Sequence, residues 1–262
     1  MYFADCHCHS RHSFDGCDDF KNLLRAARDA GLRELALTDH CDPLPRTYDL
    51  KGILKEWQAL GDAAEGVRIV HGVELGDSHL QRERALSMRE EPCFDLVICS
   101  LHTLAAAEPQ DFYDLQVQSE AHCHQLLRDY LEQQHACLDC GPFDILGHLS
   151  YPLRYMRAQG FSPSLSEHTA LLHRLFDRLI RQEMALELGT KSLYIPPSVW
   201  DEEEALLRIY YDRGGRLVTI GSDAHKAAQV GCGVREAQTL LRQIGFTHQT
   251  LFSRRQRRLQ PL

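Results

Sequence analysis

Residues 1–16 read MYFADCHCHSRHSFDG, and this stretch indicates how the first strand of the fold is built. A buried strand over 2–9 would place alternate side chains on opposite faces. His7 and His9 would then share one face, while the neighbouring cysteines would pack beneath helices on the other. Both imidazoles could therefore reach one metal ion, and we interpret them as a metal-binding pair at a strand end.

Further apolar runs of strand length follow at intervals along the chain. They are 33–40, 68–75, 95–102, 143–148, 184–189 and 216–225. Segments with helical spacing separate several of them, as in DDFKNLLRAARDAG between the first two strands. Strands that alternate with helices predict an α/β fold with a parallel sheet, and seven strands predict a seven-stranded barrel. Because no linker or change in composition interrupts the pattern, we expect one domain over 1–262.

Two segments do not follow this alternation. The segment 103–125 is interpreted as a loop that becomes a helix running to about Gln134. The basic tail SRRQRRLQPL is interpreted as cations near the C-terminus of a last helix rather than as a nucleic-acid arm.

The composition excludes several classes of protein. The chain has 262 residues, of which 44% are hydrophobic and 25% charged, as is typical of globular domains. Its formal charge of −8, from 29 basic and 37 acidic residues, disfavours a nucleic-acid partner. No run of about 18 apolar residues and no signal-peptide pattern occurs. We therefore expect a cytoplasmic protein whose ten cysteines are thiols, with a small-molecule partner and no membrane association.

Residues that commonly bind metals stand at the ends of nearly all predicted strands. In chain order they are His7, His9, His40, Glu74, His102, His148, Asp223 and His225. In a parallel barrel all strand C-termini open on one face, so these side chains would converge there. A single histidine at a strand end is ordinarily a hydrogen-bonded loop residue, but a buried cluster of this size is costly unless cations offset it.

The donor set indicates the kind of metal. Mixed imidazole and carboxylate donors suit Zn, Mn or Fe better than calcium or magnesium. Eight or nine candidate ligands exceed the needs of one ion, so we infer two to three divalent metal ions.

The motifs DCHCHSRHSFDG, LTDH, GVE, SLH, GHLSYPLRY and GSDAH occur in this order across nearly the whole chain. This series resembles the polymerase and histidinol phosphatase (PHP) family, and most of all its stand-alone histidinol-phosphate phosphatases. The resemblance implies a distorted (β/α)7 TIM-like barrel with a trinuclear metal site at the strand C-termini. It also implies a metal-dependent phosphomonoesterase that hydrolyses L-histidinol phosphate to L-histidinol and phosphate, in histidine biosynthesis, by a metal-bridging hydroxide.

The resemblance also implies which residues bind each metal. The first metal would be held by His7, His9, Glu74 and Asp223, which are also the expected catalytic residues. The second would be held by His102 and His148 together with Glu74 as a bridging carboxylate. The third would be held by Asp15, His40 and His225. Asp5 is expected to orient a ligand imidazole from behind, and His12 is either a proton donor or a solvent-facing loop residue.

Substrate binding needs cations that do not bind metal. Arg154 in YPLRY is the first candidate, because family members with this run use that Arg at the substrate, and Lys191 is the second. The chain departs from the family after the sixth strand, where GTKSLY replaces a run like NTSGLR. Lys191 replaces the missing Arg there, or the substrate is another phosphate monoester.

Two other functions compete with this interpretation. One keeps the same site but hydrolyses a phosphodiester or an oligonucleotide end, which the acidic charge disfavours. The other is a metal-binding scaffold without activity, which the complete set of ligand positions disfavours. Neither interpretation determines the oligomeric state.

Overall fold

The computed structural model describes residues 1–43, 48–60, 66–141 and 143–262. The strands in these residues are β1 (Ala4–Asp5), β2 (Glu34–Leu37), β3 (Arg68–Gly76), β4 (Leu96–Ser100), β5 (Thr103–Leu104), β6 (Gln110–Asp111), β7 (Ile145–Leu146), β8 (Ala185–Gly189), β9 (Val218–Gly221), β10 (His248–Ser253) and β11 (Gln256–Pro261). The α-helices are α1 (Phe20–Asp29), α2 (Leu50–Leu60), α3 (Arg82–Arg89), α4 (Glu120–Leu138), α5 (Tyr151–Ala158), α6 (Thr169–Gln182), α7 (Lys191–Tyr194), α8 (Trp200–Asp212) and α9 (Val234–Ile244).

Seven of the described strands form one parallel sheet in the order β1-β2-β3-β4-β7-β8-β9. The first and last strands meet, because Cys6 N donates to Ile220 O at 2.8 Å and His9 N donates to Ala224 O at 2.8 Å. The sheet therefore curls into a nearly closed barrel. The predicted seven-stranded (β/α) barrel is confirmed, and each predicted strand is found at its place in the sequence.

Helix α1 shows how the sequence forms the outer layer. Asp19 caps its first turn by accepting from Asn22 N at 2.8 Å. Its apolar side chains recur with helical spacing and are buried against the sheet. The helix ends before Gly31, whose φ of +76° is the left-handed conformation that glycine adopts without strain.

The segment 103–125 contains more structure than its sequence predicts. Strands β5 and β6 pair as a short antiparallel hairpin before α4 begins at Glu120. The side chain of Asp77 accepts the backbone N–H groups of His102 at 2.7 Å and Thr103 at 2.9 Å, which holds the start of the hairpin at the barrel. Two-residue strands are too short to produce a period in the sequence, and the loop expectation is wrong here for that reason.

The basic tail is a hairpin and not the end of a helix. Helix α9 ends before Gly245, after which β10 and β11 pair in antiparallel register. Leu251 and Phe252 are buried, while Arg258 binds the carboxylate of Glu34 at 2.5 Å. The arginines therefore pair with acids at the N-terminal ends of the barrel strands, and this pairing over a long sequence distance leaves no local pattern in the sequence.

Residues 137–140, with the sequence CLDC, have a structural role. The Cys140 thiol donates to the carbonyl of Ser78 at 3.2 Å, and Cys137 Sγ lies 3.0 Å from Nδ1 of His79. These contacts join α4 to the turn that follows β3. All ten cysteines are free thiols in the structure. Among the described residues, no helix is both long enough and apolar enough to cross a membrane.

Candidate metal centre

Most of the side chains predicted from the strand ends converge at one face of the barrel. The group comprises His7, His9, Asp15, His40, Glu74, His102, His148, Asp223 and His225. All but Asp15 and His225 are buried. The carboxyl ends of neighbouring parallel strands bring these residues together although up to 218 positions separate them in the sequence.

Glu74 lies at the middle of the group. Its Oε1 lies 2.8 Å from Nε2 of His148, 3.4 Å from Nε2 of His102 and 3.5 Å from Nε2 of His7. Burial opposes ionisation, but the charges of His40 and His7 outweigh it and hold the pKa of Glu74 well below its usual value. One ionised carboxylate is therefore surrounded by imidazoles on several strands.

The second oxygen of Glu74 faces another part of the cluster. Oε2 lies 2.7 Å from Nδ1 of His40 and 3.6 Å from Nε2 of His9. Burial and then the charges of His40 and His225 lower the pKa of His9 well below its usual value, so His9 is neutral. Metal ligation requires this neutral form.

Asp223 closes the cluster at the seam of the barrel. Its Oδ1 lies 3.2 Å from Nε2 of His9, and its backbone N–H donates to His7 O at 2.9 Å. The backbone of Asp223 has a φ of +48°, which is uncommon for residues other than glycine. Such strained conformations persist where surrounding contacts hold them. Lys191 Nζ is the principal cation on Asp223, and it donates to Oδ2 at 2.5 Å.

Asp15 lies at the rim of the cluster on the loop after β1. Its carboxylate lies 3.0 Å from Nε2 of His225 and 3.6 Å from Nε2 of His40. Burial opposes ionisation, but the hydrogen bond from His225 and the charge of His40 lower the pKa of Asp15 to about 2. The structure thus brings Asp15 to the two histidines that were expected to share a metal with it.

Hydrogen bonds behind the imidazoles fix the nitrogen that faces the cluster. His7 Nδ1 lies 2.8 Å from Oε1 of Glu187, so the ring donates there and turns Nε2 inward. His9 Nδ1 lies 3.1 Å from Oγ of Ser13, whose own proton goes to Asp39 at 2.7 Å. Because Ser13 already donates to a carboxylate, His9 Nδ1 must be the donor in their contact.

This arrangement fits metal ions. The Nε2 atoms of His7 and His9 lie 3.0 Å apart, and in the neutral form that binds metal both would carry lone pairs. Oε2 of Glu74 is buried and makes no aligned hydrogen bond among the described residues, although Nδ1 of His40 lies 2.7 Å away. Donor atoms about 2.1 Å from a tetrahedral ion lie about 3.4 Å apart, which is close to the spacing of this cluster. Cations satisfy electron pairs that hydrogen bonds leave facing each other.

Several triplets of donor atoms lie within ligand distance of one another. They are His7 with Glu74 and His148, His7 with His9 and Asp223, His9 with His40 and His225, and His40 with Asp42 and His102. The groups overlap, as expected for a centre of more than one ion. Asp42 is not among the ligands predicted from the sequence. It follows His40 by two positions, the same spacing that identified the pair His7 and His9.

Asp5 does not have the role that the sequence predicts for it. The Asp5 carboxylate accepts Ser222 N at 2.9 Å, Ser222 Oγ at 2.6 Å and Gly231 N at 3.0 Å. It contacts the backbone N–H of His7 and holds the barrel seam, so the expectation that it orients an imidazole is wrong. Glu187 has that position instead, and its signal in the sequence is an acid inside the apolar run MALELG.

An open cavity lies over this cluster of imidazole and carboxylate side chains. It is lined by Phe14, Asp15, His40, His102, Asp111, His148, Tyr151, Arg154, Tyr155, Lys191, Asp223 and His225. Arg154 donates to the hydroxyl of Tyr155 at 2.8 Å and lies over its ring at 5.0 Å, while Lys191 approaches from α7. Both cations predicted to bind substrate therefore border the cavity, which can hold an anion between them and the cluster.

Two further residues lie elsewhere. His12 Nε2 contacts Glu56 Oε2 at 2.9 Å and is not part of the cavity wall, which favours the loop interpretation of His12. Tyr194 donates its hydroxyl to the backbone oxygen of Ser222 and so occupies a structural position in the GTKSLY run.

Comparisons with known proteins identify the family and relatives of this chain. The model of the PHP domain matches residues 5–191. The histidinol-phosphatase of Lactococcus lactis is 28% identical, with 97% of this chain and 95% of that protein aligned. A protein of Thermotoga maritima named "Probable histidinol-phosphatase" is 26% identical, with 93% of both chains aligned.

A solved structure matches the whole fold. The histidinol phosphate phosphatase from Lactococcus lactis, in complex with zinc, L-histidinol and phosphate, has a TM-score of 0.80 and 25% identity. The match covers 98% of both chains. The matched family model covers more than half of this chain and includes the strand-end motifs up to Lys191. The chain belongs to the PHP domain family.

Proposed function

We propose that the protein is a metal-dependent phosphomonoesterase that hydrolyses L-histidinol phosphate to L-histidinol and phosphate. The observation that carries the proposal is the cluster of imidazoles and carboxylates beside two cations in one cavity. Relatives aligned along almost the whole chain are named histidinol-phosphatase, and one binds zinc, L-histidinol and phosphate, which supports the substrate. We further propose that 1–262 forms one PHP-type domain and acts in the cytoplasm.

Two to three divalent ions, Zn, Mn or Fe, are proposed for the centre. The proposed ligands are His7, His9, Glu74 and Asp223 for one ion, Glu74, His102 and His148 for a second, and Asp15, His40 and His225 for a third. Short distances within each set support this division. Three of the four donor triplets found among the described residues nevertheless combine donors from different sets.

When bound, divalent ions supply Lewis-acid activation of water and neutralise charge on the phosphoryl oxygens. The chain's own residues do the remaining work. Arg154 offers a planar guanidinium that matches two phosphate oxygens, and Lys191, which pairs with Asp223, offers a point charge at the same cavity. Glu187 and Ser13 keep the Nδ1 atoms of the first two histidines occupied, so that both rings hold their orientation through turnover.

Phosphate release from L-histidinol phosphate tests the proposal, with manganese or zinc added and a panel of other monoesters alongside. We expect a kcat/KM of about 10⁴ M⁻¹s⁻¹ or more for histidinol phosphate, and far less for the other esters. His9→Ala should remove most of the activity and lower the bound metal while the fold is retained. Weak turnover spread evenly over the panel would refute the substrate, and a bis-aryl phosphodiester cleaved faster than the monoester would refute the reaction.

A further inference from the structure

A second cavity adjoins the one over the cluster of proposed ligands. It is lined by His148, Ser150, Tyr151, Arg154, Gly189, Lys191, Ser192, Val199, Glu203 and Asp223. Half of this wall is shared with the first cavity, including both cations. A monoester whose phosphate lies between Arg154 and Lys191 can therefore extend its alcohol part into the second cavity.

The distinctive group of this cavity is Glu203 on α8. Its side chain is buried, and its Oε1 accepts the hydroxyl of Ser150. Glu203 is not among the residues that line the first cavity, and no part of the proposed chemistry uses it. The Ser150 hydroxyl and the Gly189 N–H use only part of the acceptor capacity of this carboxyl, and a cation in the cavity can use the rest.

Ser192 gives a second and independent indication of a ligand. Its side chain is 5% exposed, and its Oγ has no hydrogen-bond partner among the described residues. The residue lines the same cavity as Glu203. Buried hydroxyl groups are normally paired, so an unpaired one at a cavity wall marks a place where a polar ligand atom fits.

Gly189 keeps the route to Glu203 open. A Cβ at this position would lie 3.4 Å from Glu203 Oε1 and 3.8 Å from His148 Cβ. The backbone there has no left-handed φ, so its conformation does not require glycine. The missing side chain therefore leaves space between the metal cluster and the carboxyl of Glu203, at the run where this chain departs from the family pattern.

We propose that Glu203, with Ser192 and Ser150, forms a subsite for a cationic nitrogen group on the alcohol part of the substrate. This inference rests on the proposed phosphomonoesterase function and specifies its substrate class as amine-bearing or imidazole-bearing alcohol phosphates. L-histidinol phosphate belongs to that class, because it carries an ammonium and an imidazole. The subsite selects the alcohol, whereas the metals and Arg154 bind the phosphate common to all esters.

The electrostatics of the cavity agree with this assignment. Burial raises the pKa of Glu203 to about 8 against the hydrogen bond from Ser150, and the charge of Glu187 adds to the rise. A nearby cation stabilises the ionised carboxylate of Glu203, because its charge replaces the solvation that burial removes.

The test compares two small esters that differ in one charge. Phosphoethanolamine carries an ammonium and glycerol phosphate does not, and L-histidinol phosphate is assayed beside them. In the metal-loaded enzyme we expect Glu203→Gln to lower the kcat/KM preference for the two cationic esters about tenfold or more, chiefly through KM. Calorimetric titration with L-histidinol should show a loss of affinity of similar size.

A matched control and a second variant keep the result interpretable. Glu202→Gln changes the adjacent buried acid, which is not part of the cavity wall, and should leave the preference unchanged. Ser192→Ala removes a hydroxyl without a partner, so it should not disturb folding but should weaken L-histidinol binding about threefold or more. If Glu203→Gln does not fold, an unchanged affinity in Ser192→Ala overturns the subsite.

The subsite and the proposed function fail in different ways. A wild-type enzyme that hydrolyses monoesters but does not favour L-histidinol phosphate refutes that substrate, while the two small esters still test the subsite. A wild-type enzyme without preference for phosphoethanolamine over glycerol phosphate overturns the subsite. An unchanged preference in folded Glu203→Gln overturns it as well.

Discussion

The carboxylate of Glu187 accepts a hydrogen bond from Nδ1 of His7 at 2.8 Å. Its other oxygen accepts the backbone N–H of His148 at 2.7 Å. One side chain on β8 therefore positions two of the proposed ligands, on the first and fifth strands of the sheet. The sixth strand supplies no proposed ligand of its own, and this support explains what it contributes to the site.

Glu187→Gln should weaken metal binding without removing a ligand. An amide is a poorer acceptor for the imidazole N–H, so the His7 ring loses both orientation and basicity. We expect the affinity for Zn or Mn to fall about 10- to 100-fold, as measured by competition with a chelator. Activity should return in large part when metal is saturating.

Glu34→Gln is the matched control, because Glu34 is also a buried acid on a barrel strand but lies at the opposite end with Arg258. It should change stability and leave metal affinity as in the wild type. Equal metal affinity in Glu187→Gln and the wild type would contradict the positioning role.

Asp5→Asn should destabilise the barrel rather than the metal centre. The carboxylate accepts the Ser222 hydroxyl and the backbone N–H groups of Ser222 and Gly231. An amide accepts hydrogen bonds only through its oxygen, because its NH₂ group is a donor. We expect a loss of about 1–3 kcal/mol in the free energy of unfolding, measured by denaturant titration. A variant as stable as the wild type but poor in metal would show that Asp5 supports a ligand after all.

Arg154→Ala should chiefly raise KM for the phosphate ester, because it removes a binding cation and leaves the metal cluster intact. We expect a rise of about tenfold or more, measured by steady-state kinetics of phosphate release. Arg157→Ala offers a control one turn further along α5, where the guanidinium pairs with Asp201 at the surface. Equal KM values in the two variants would exclude Arg154 from phosphate binding.

Glu56 gives a pH-dependent contribution to stability. It accepts the backbone N–H of Phe20 at 2.9 Å and contacts Arg11 at 2.8 Å, and these bonds outweigh burial and lower its pKa. Since the folded pKa lies below the unfolded value of 4.5, the contribution is present above that pH and disappears as pH falls through the folded pKa.

With metal removed by a chelator, Glu56→Gln should therefore cost about 1–2 kcal/mol of unfolding free energy at pH 7, and much less once the pH falls below the folded pKa of Glu56. Denaturant melts of both proteins across this range measure the difference. A cost that stays constant with pH would mean that packing of the side chain, and not its charge, stabilises this corner.

The barrel could be predicted because each strand and its following helix leave a local period in the sequence. The convergence of His40, Glu74 and His148 followed from the same reasoning, since parallel strands bring their ends to one face. The hairpin of β5 and β6 could not be predicted in this way. Its strands are two residues long, and a carboxylate 26 residues upstream holds its first strand.

The supports of the site were harder to predict than its ligands. Parity along β1 placed Asp5 on the same face as His7, but parity does not show how deep a side chain lies or which backbone it meets. Asp5 lies where the first and last strands meet, and Glu187 reaches His7 from a strand 180 residues away. Such contacts depend on strand order around the barrel, which the local sequence pattern does not contain.

The seam of the barrel has a consequence for biosynthesis of the protein. His7 and His9 leave the ribosome more than two hundred residues before Asp223, which reaches them only when the last strand joins the first. A nascent chain that lacks this strand cannot assemble the complete ligand set. Hydrolytic competence thus arrives only with the final closure of the barrel.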